Sequence, residues 1–218
     1  MFRYRFASAV AFVFVVVGVV FTTTEARPQS QSRNQVPSAR LDQIRAATLR
    51  FRDVSTALKE GYVRDPMDMC ITAPIEGQPI QLGGMGVHYF RPDLLGISGT
   101  TPRVTGKGTH TDFLRPAVLV YEPQENGSLE LVAVENLVFR DAWHAAGHKA
   151  PPEFEGNQYY AMVDNPVTTD VDEAHGFMPH YELHIWLYRD NPSGIFAQFN
   201  PTVSCRHHNA SATVPAAK

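Results

Sequence analysis

The sequence predicts an α+β protein: one N-terminal amphipathic helix packed on an antiparallel body, either barrel-like or a sandwich. Three observations carry that prediction. Apolar residues between positions 38 and 61 recur with the 3.6 period of a helix. Beyond Gly61 they fall instead into short β-branched and aromatic runs separated by Gly, Pro and Asn. Between two of those runs stands Asn126-Gly127, the strongest short-range signal for a hairpin. The chain has 218 residues, 44% of them hydrophobic and 19% charged, which is enough apolar material for one buried core and too much for a disordered chain.

The first 26 residues carry Arg3 and Arg5, then a stretch without charge over residues 6–21, then Thr24-Glu25-Ala26. A basic start, a short apolar run and a small-x-small end form the pattern of a secretory signal peptide. The apolar run falls short of the roughly 20 residues that a spanning helix needs, so contact with a membrane is expected only through an uncleaved signal segment. The protein is therefore expected to be secreted or periplasmic. Residues 27–37 are polar and read as a flexible lead, residues 38–205 as a single globular domain, and residues 206–218 as a disordered tail.

Two cysteines follow the signal, Cys70 and Cys205, and an oxidising compartment makes a disulfide between them the expectation. Closing so long a loop stabilises by about 5 kcal/mol in the chain-entropy account. Lys plus Arg is 19 against 22 for Asp plus Glu, a net charge of −3, which leaves no cationic excess to neutralise a phosphate backbone. Nucleic acid is thus no expected partner.

The helix is predicted to start at Ser38, a good N-cap, and to run about 22 residues to Gly61 on the apolar positions Leu41, Ile44, Thr48, Phe51, Val54 or Ala57, and Leu58. The first hairpin joins residues 117–121 to residues 129–139 through a type I′ turn at Asn126-Gly127. In the second, Asn191-Pro192-Ser193-Gly194 suits a type I turn with Pro at its second position. Before it, Tyr181, Leu183, Ile185 and Leu187 alternate as in a strand, although Pro179 could instead open a short helix. Three long irregular stretches, residues 91–116, 141–157 and 164–179, are expected to frame whatever the strands enclose.

Several motifs fail on spacing. Gly96-Ile97-Ser98-Gly99 is not the GxSxG of a nucleophile elbow, and Gly106-Lys107-Gly108-Thr109 is not a phosphate loop. Gly83-Gly84-Met85-Gly86 precedes a strand where a dinucleotide fingerprint follows one, and reads as a turn with close backbone approach. His144 and His148 are four apart, but Gly147 and the following prolines shorten any helix, which suits a hydrogen-bonding role at a cleft edge. His180 and His184 do not form HExxH. On a straight strand four residues span about 13 Å, too far for two imidazoles to share one ion at about 2.1 Å.

What remains is a constellation of three ionisable residues in the middle of apolar strands: His88, Glu135 and His184. Leu131, Ala133, Leu137 and Phe139 would share the face of Glu135, with Val132, Val134 and Val138 on the other, so either orientation surrounds its carboxylate with hydrocarbon. A lone buried charge costs several kcal/mol unless it is paired, hydrogen-bonded or bound to metal. Two histidines and a carboxylate form the facial set that binds Fe(II), and the same donors suit Zn, Cu or Mn. Such a divalent metal ion keeps positions open for a small-molecule substrate. His180 and Glu182 share the strand face of His184 and would orient or replace its ligands. Two alternatives stand beside this reading: a structural hydrogen-bond network of the same His and Glu residues, and a non-enzymatic barrel whose aromatics (Phe90, Tyr121, Phe139, Tyr159, Tyr160, Trp186, Tyr188 and Phe196) line a cavity for an apolar ligand.

Overall fold

In the computed structural model, which describes residues 38–209, the single predicted helix is broken in two. The segments predicted as signal peptide (residues 1–26) and flexible lead (residues 27–37), and residues 210–218 of the predicted tail, lie outside the described residues. Helix α1 spans Ser38–Thr48, a 3-10 turn follows over Leu49–Arg52, and helix α2 spans Val54–Lys59. The break is at Asp53, whose backbone is extended and whose carboxylate accepts from the Ser55 N–H at 2.9 Å. A short carboxylate that caps a new helix competes with continuation of the old one. The break also resets the helical phase: Ala57 is buried with Ile44, Thr48 and Phe51, while Leu58, expected on that face, is 51% exposed.

The strands follow in chain order. β1 is Val63–Arg64, β2 Cys70–Thr72 and β3 Gly84–Phe90. After α3 (Pro92–Leu95) come the short partners β4 (Ile97–Gly99) and β5 (Thr105–Gly106), then β6 (Val118–Pro123) and β7 (Leu129–Phe139). α4 (Arg140–Ala145) leads to β8 (Glu153–Phe154), β9 (Asn157–Gln158), β10 (Tyr160–Met162) and β11 (His180–Ile185). The main sheet is antiparallel with order β1-β3-β6-β7-β11-β10, and β2 also pairs with β3.

The sheet does not close into a barrel, which corrects one of the two predicted architectures. Its outer strands are only two or three residues long and leave no continuous ladder to join edge to edge. Of the aromatics assigned to a barrel lumen, Tyr160 is exposed and the others lie in or against two hydrophobic clusters. Tyr121 and Tyr159 pack with Ile44, Phe51, Leu119, Val134 and Leu183, whereas Phe90, Phe139 and Trp186 pack with Val118, Val120, Leu137 and Phe177. The broken helix docks on the first cluster through the Tyr121 hydroxyl, which donates to the Phe51 carbonyl at 2.7 Å. Among the described residues, no helix is long and apolar enough to cross a membrane.

The first hairpin forms, but not with the predicted turn. Gly127 N–H donates to the Gln124 carbonyl at 2.9 Å, and Gly127 alone of the Asn-Gly pair has positive φ, at 79°. This is a type I turn closed by a left-handed glycine, a common three-residue hairpin connection. Asn126 keeps negative φ and uses its side-chain oxygen to accept from the Ser128 N–H at 3.0 Å. A shift of register between Val120 and Tyr121 leaves Val132 as an extra residue in β7. The bulge moves Leu131 to the cluster of Val134 and Val138, and Val132 to that of Ala133, Leu137 and Phe139. The alternation read from sequence is therefore right from Ala133 onward and inverted at those two residues.

β11 is a strand, as its alternation predicts. The Asn191 carbonyl accepts from Gly194 N–H at 2.9 Å, giving the expected turn, although the returning chain forms no strand. The disulfide between Cys70 and Cys205 is formed, with Cα atoms 5.8 Å apart, and is compatible with a secreted or periplasmic protein. Just after it, His208 N–H donates to the Cys205 carbonyl.

Candidate metal centre

Register brings the three predicted residues to one face of the sheet. Glu135 on β7 and His184 on β11 are directly opposed. His88 on β3 is two strands from Glu135, with β6 between them, and β6 presents Val120 opposite His88 and Val118 opposite Glu135. Those short side chains leave room for the imidazole and the carboxylate to meet across them. Upstream, Gly86 lets β3 pass close to β6: at φ 117° an added Cβ would come within 2.5 Å of the Tyr121 carbonyl oxygen. The close backbone approach expected of these glycines is present at Gly83, Gly84 and Gly86, with the expected turn at Gly83 and the other two inside β3.

The three side chains converge on one oxygen. His88 Nε2 is 3.2 Å from Glu135 Oε2 and His184 Nε2 is 3.3 Å from the same atom. Neither approach has hydrogen-bond angles: His88 Nε2, His184 Nε2 and both Glu135 oxygens are buried without a hydrogen-bond partner. Glu135 is buried, with its side chain 1% exposed. Burial works to raise its pKa, but the imidazoles of His184 and His88 outweigh burial and hold it well below the usual carboxylate range. Burial likewise works to lower His184, and Glu135 outweighs it, so that imidazole is raised.

A second group lies beside the first. His180 Nε2 is 3.3 Å and His175 Nε2 3.5 Å from Glu182 Oε2. The two histidines of β11, four residues apart, thus serve different groups, as strand geometry requires. The groups meet where His184 Nδ1 comes 3.9 Å from Glu182 Oε1 and where the His88 and His175 rings stack with centroids 5.7 Å apart. At 3.9 Å the contact of Glu182 with His184 is too long to be the direct supporting hydrogen bond expected from sequence. Glu76, on the 3-10 turn Ala73–Glu76, reaches His175 Nδ1 at 3.1 Å and accepts from Gln198 Nε2 at 2.7 Å. Burial, then Glu182, pushes the Glu76 carboxyl up to about 10, and burial drives His175 down to about 3.

His175 and Glu76 are the residues that sequence reasoning missed. His175 lies in the irregular stretch 164–179, where no periodicity marks burial, and takes φ 34°, an unusual conformation for a side-chain-bearing residue. Its one local signal is the neighbouring Gly176, at φ 87°. His144 and His148 do not pair: His144 Nδ1–H donates to the His148 carbonyl at 2.7 Å and its Nε2 accepts from the Tyr181 hydroxyl at 3.0 Å, while His148 stacks on Trp143.

The donor chemistry of both groups suits a cation. Two ligands about 2.1 Å from one ion and about 90–110° apart are about 3.0–3.4 Å from each other, the spacing at which the imidazole nitrogens meet the Glu135 oxygen. Among the described residues, no lysine or arginine pairs with Glu76, Glu135 or Glu182; their ion-pair partners are imidazoles. Buried carboxylates so placed carry a heavy desolvation cost that a divalent ion offsets. No family model, curated protein or solved structure matches this chain.

Proposed function

We propose that the protein is an exported metalloprotein with a sandwich-like body, in which His88, Glu135 and His184 hold one divalent ion of iron, zinc, copper or manganese. One observation carries the reading: two Nε2 atoms meet a single buried carboxylate oxygen at ligand-to-ligand spacing and without hydrogen-bond angles. A two-histidine, one-carboxylate set leaves coordination positions open, which supports Lewis-acid or oxygen chemistry on a small molecule. Complete burial limits that molecule to one of few atoms unless the chain above it opens.

The test is elemental analysis of the protein stripped with a chelator and reloaded separately with Fe, Zn, Cu or Mn. Wild type is expected to retain metal at this site, and His184→Ala to lose it. Burial also favours one rival, a metal-free ion-paired network that locks β7 against β11. That rival predicts no bound metal and a melting temperature unmoved by any of the four ions.

A further inference from the structure

We propose that His175, His180 and Glu182 form a second divalent-metal site beside the first, so that the folded chain carries a pair of ions. The inference goes beyond the first centre, because it stands on donors of its own.

Three buried donor atoms meeting in one place carry the inference. His180 Nδ1 lies 3.0 Å from the Met178 carbonyl, which can only accept, so Nδ1 carries the hydrogen. Its Nε2 stands 3.3 Å from Glu182 Oε2 in hydrogen-bond geometry, a position that either a proton on Nε2 or a cation in its place fills. His175 Nε2 faces the same Glu182 oxygen at 3.5 Å, and Glu76 Oε1 stands 3.1 Å from its Nδ1 without hydrogen-bond angles. Two imidazole nitrogens and a carboxylate oxygen thus converge in a buried space, all within 4.8 Å of one another, a spacing that one cation spans. Glu182 Oε1, Glu76 Oε1 and His175 Nδ1 remain buried without hydrogen-bond partners.

Glu76 stands 3.1 Å from the Nδ1 of His175, the side from which a carboxyl group orients an imidazole once a metal is bound. Glu76 also stands between the site and the surface. It lines a surface cavity of about 190 Å³ together with Tyr160, Met162, Glu173 and Gln198. Two imidazoles and a carboxylate again suit Zn, Fe(II), Mn or Cu, so a borderline divalent cation is the expected occupant.

The experiment is a titration of the chelator-stripped full chain with Zn(II) or Co(II) alone, read by calorimetry and by elemental analysis after dialysis. Wild type is expected to take two ions, His180→Ala one and His184→Ala one, with the fold of each variant checked by circular dichroism. If His180→Ala does not fold, Glu182→Gln replaces it with the same expectation. Glu76→Gln should weaken one of the two binding events by about 10–100-fold and leave the other unchanged. A wild type that binds one ion, kept by His180→Ala or Glu182→Gln and lost by His184→Ala, overturns the second site and leaves the first. A single ion lost by His180→Ala and kept by His184→Ala overturns the first and leaves the second.

Discussion

Glu135 and His175 sit in the same buried region yet differ in how far the sequence betrays them. Glu135 interrupts an alternating apolar strand, and the cost of a charge in hydrocarbon made it visible together with His88 and His184. Nothing in a turn or an irregular loop declares which side chain points inward, so Glu76 and His175 could be found only in three dimensions. Both Glu135 and His175 destabilise the metal-free protein in acid. His175, held at about 3, stays neutral while the unfolded chain takes up a proton near pH 6.5, so its contribution is lost as pH falls from about 6.5 toward 3. Glu135, held below its unfolded value of 4.5, contributes stability above that pH and loses it as pH falls through the folded value. Glu76, held up at about 10, works the other way and adds stability as pH falls toward 4.5, so the urea midpoint of the stripped protein should stay nearly level from pH 6.5 to 4.5 and decline below that, and His175→Asn should turn the level stretch into a rise with falling pH.

At the scale of elements, the alternation of β11, the period of the helix and the positions of both turns were legible because each depends on local pattern. The break at Asp53 and the bulge at Val132 were not: the first depends on a side-chain cap winning against a continuing helix, and the second lies in a run apolar on both faces. β3 is the element with least tolerance. Gly86→Ala places a methyl against the Tyr121 carbonyl at a φ of 117° that alanine avoids, two residues before His88. The expected cost is about 3 kcal/mol, read from the urea midpoint, together with weakened metal retention as His88 is displaced. Asp53→Ala should cost only about 1 kcal/mol, because it removes a surface cap and leaves the sheet untouched.

For the whole molecule, the pairing of Cys70 with Cys205 followed from compartment and count, while the failure of the sheet to close depended on edge strands too short to recognise in sequence. The disulfide joins β2, the partner of β3 next to His88, to the chain after Ser204, whose N–H donates to Glu122 at 2.8 Å. Reduction, or the double change Cys70→Ser with Cys205→Ser, should cost about 2–5 kcal/mol and lower the melting temperature by many degrees. An unchanged melting curve under reductant would show that the cross-link does not hold these ends. One strand, finally, delivers three of the donors: His180, Glu182 and His184 alternate along β11 with Tyr181, Leu183 and Ile185. Sliding that strand by a single residue would send every donor to the oily side and bring three hydrophobes in their stead. An ion captured there would act as a proof-reader of assembly, rewarding only the chain that has threaded correctly.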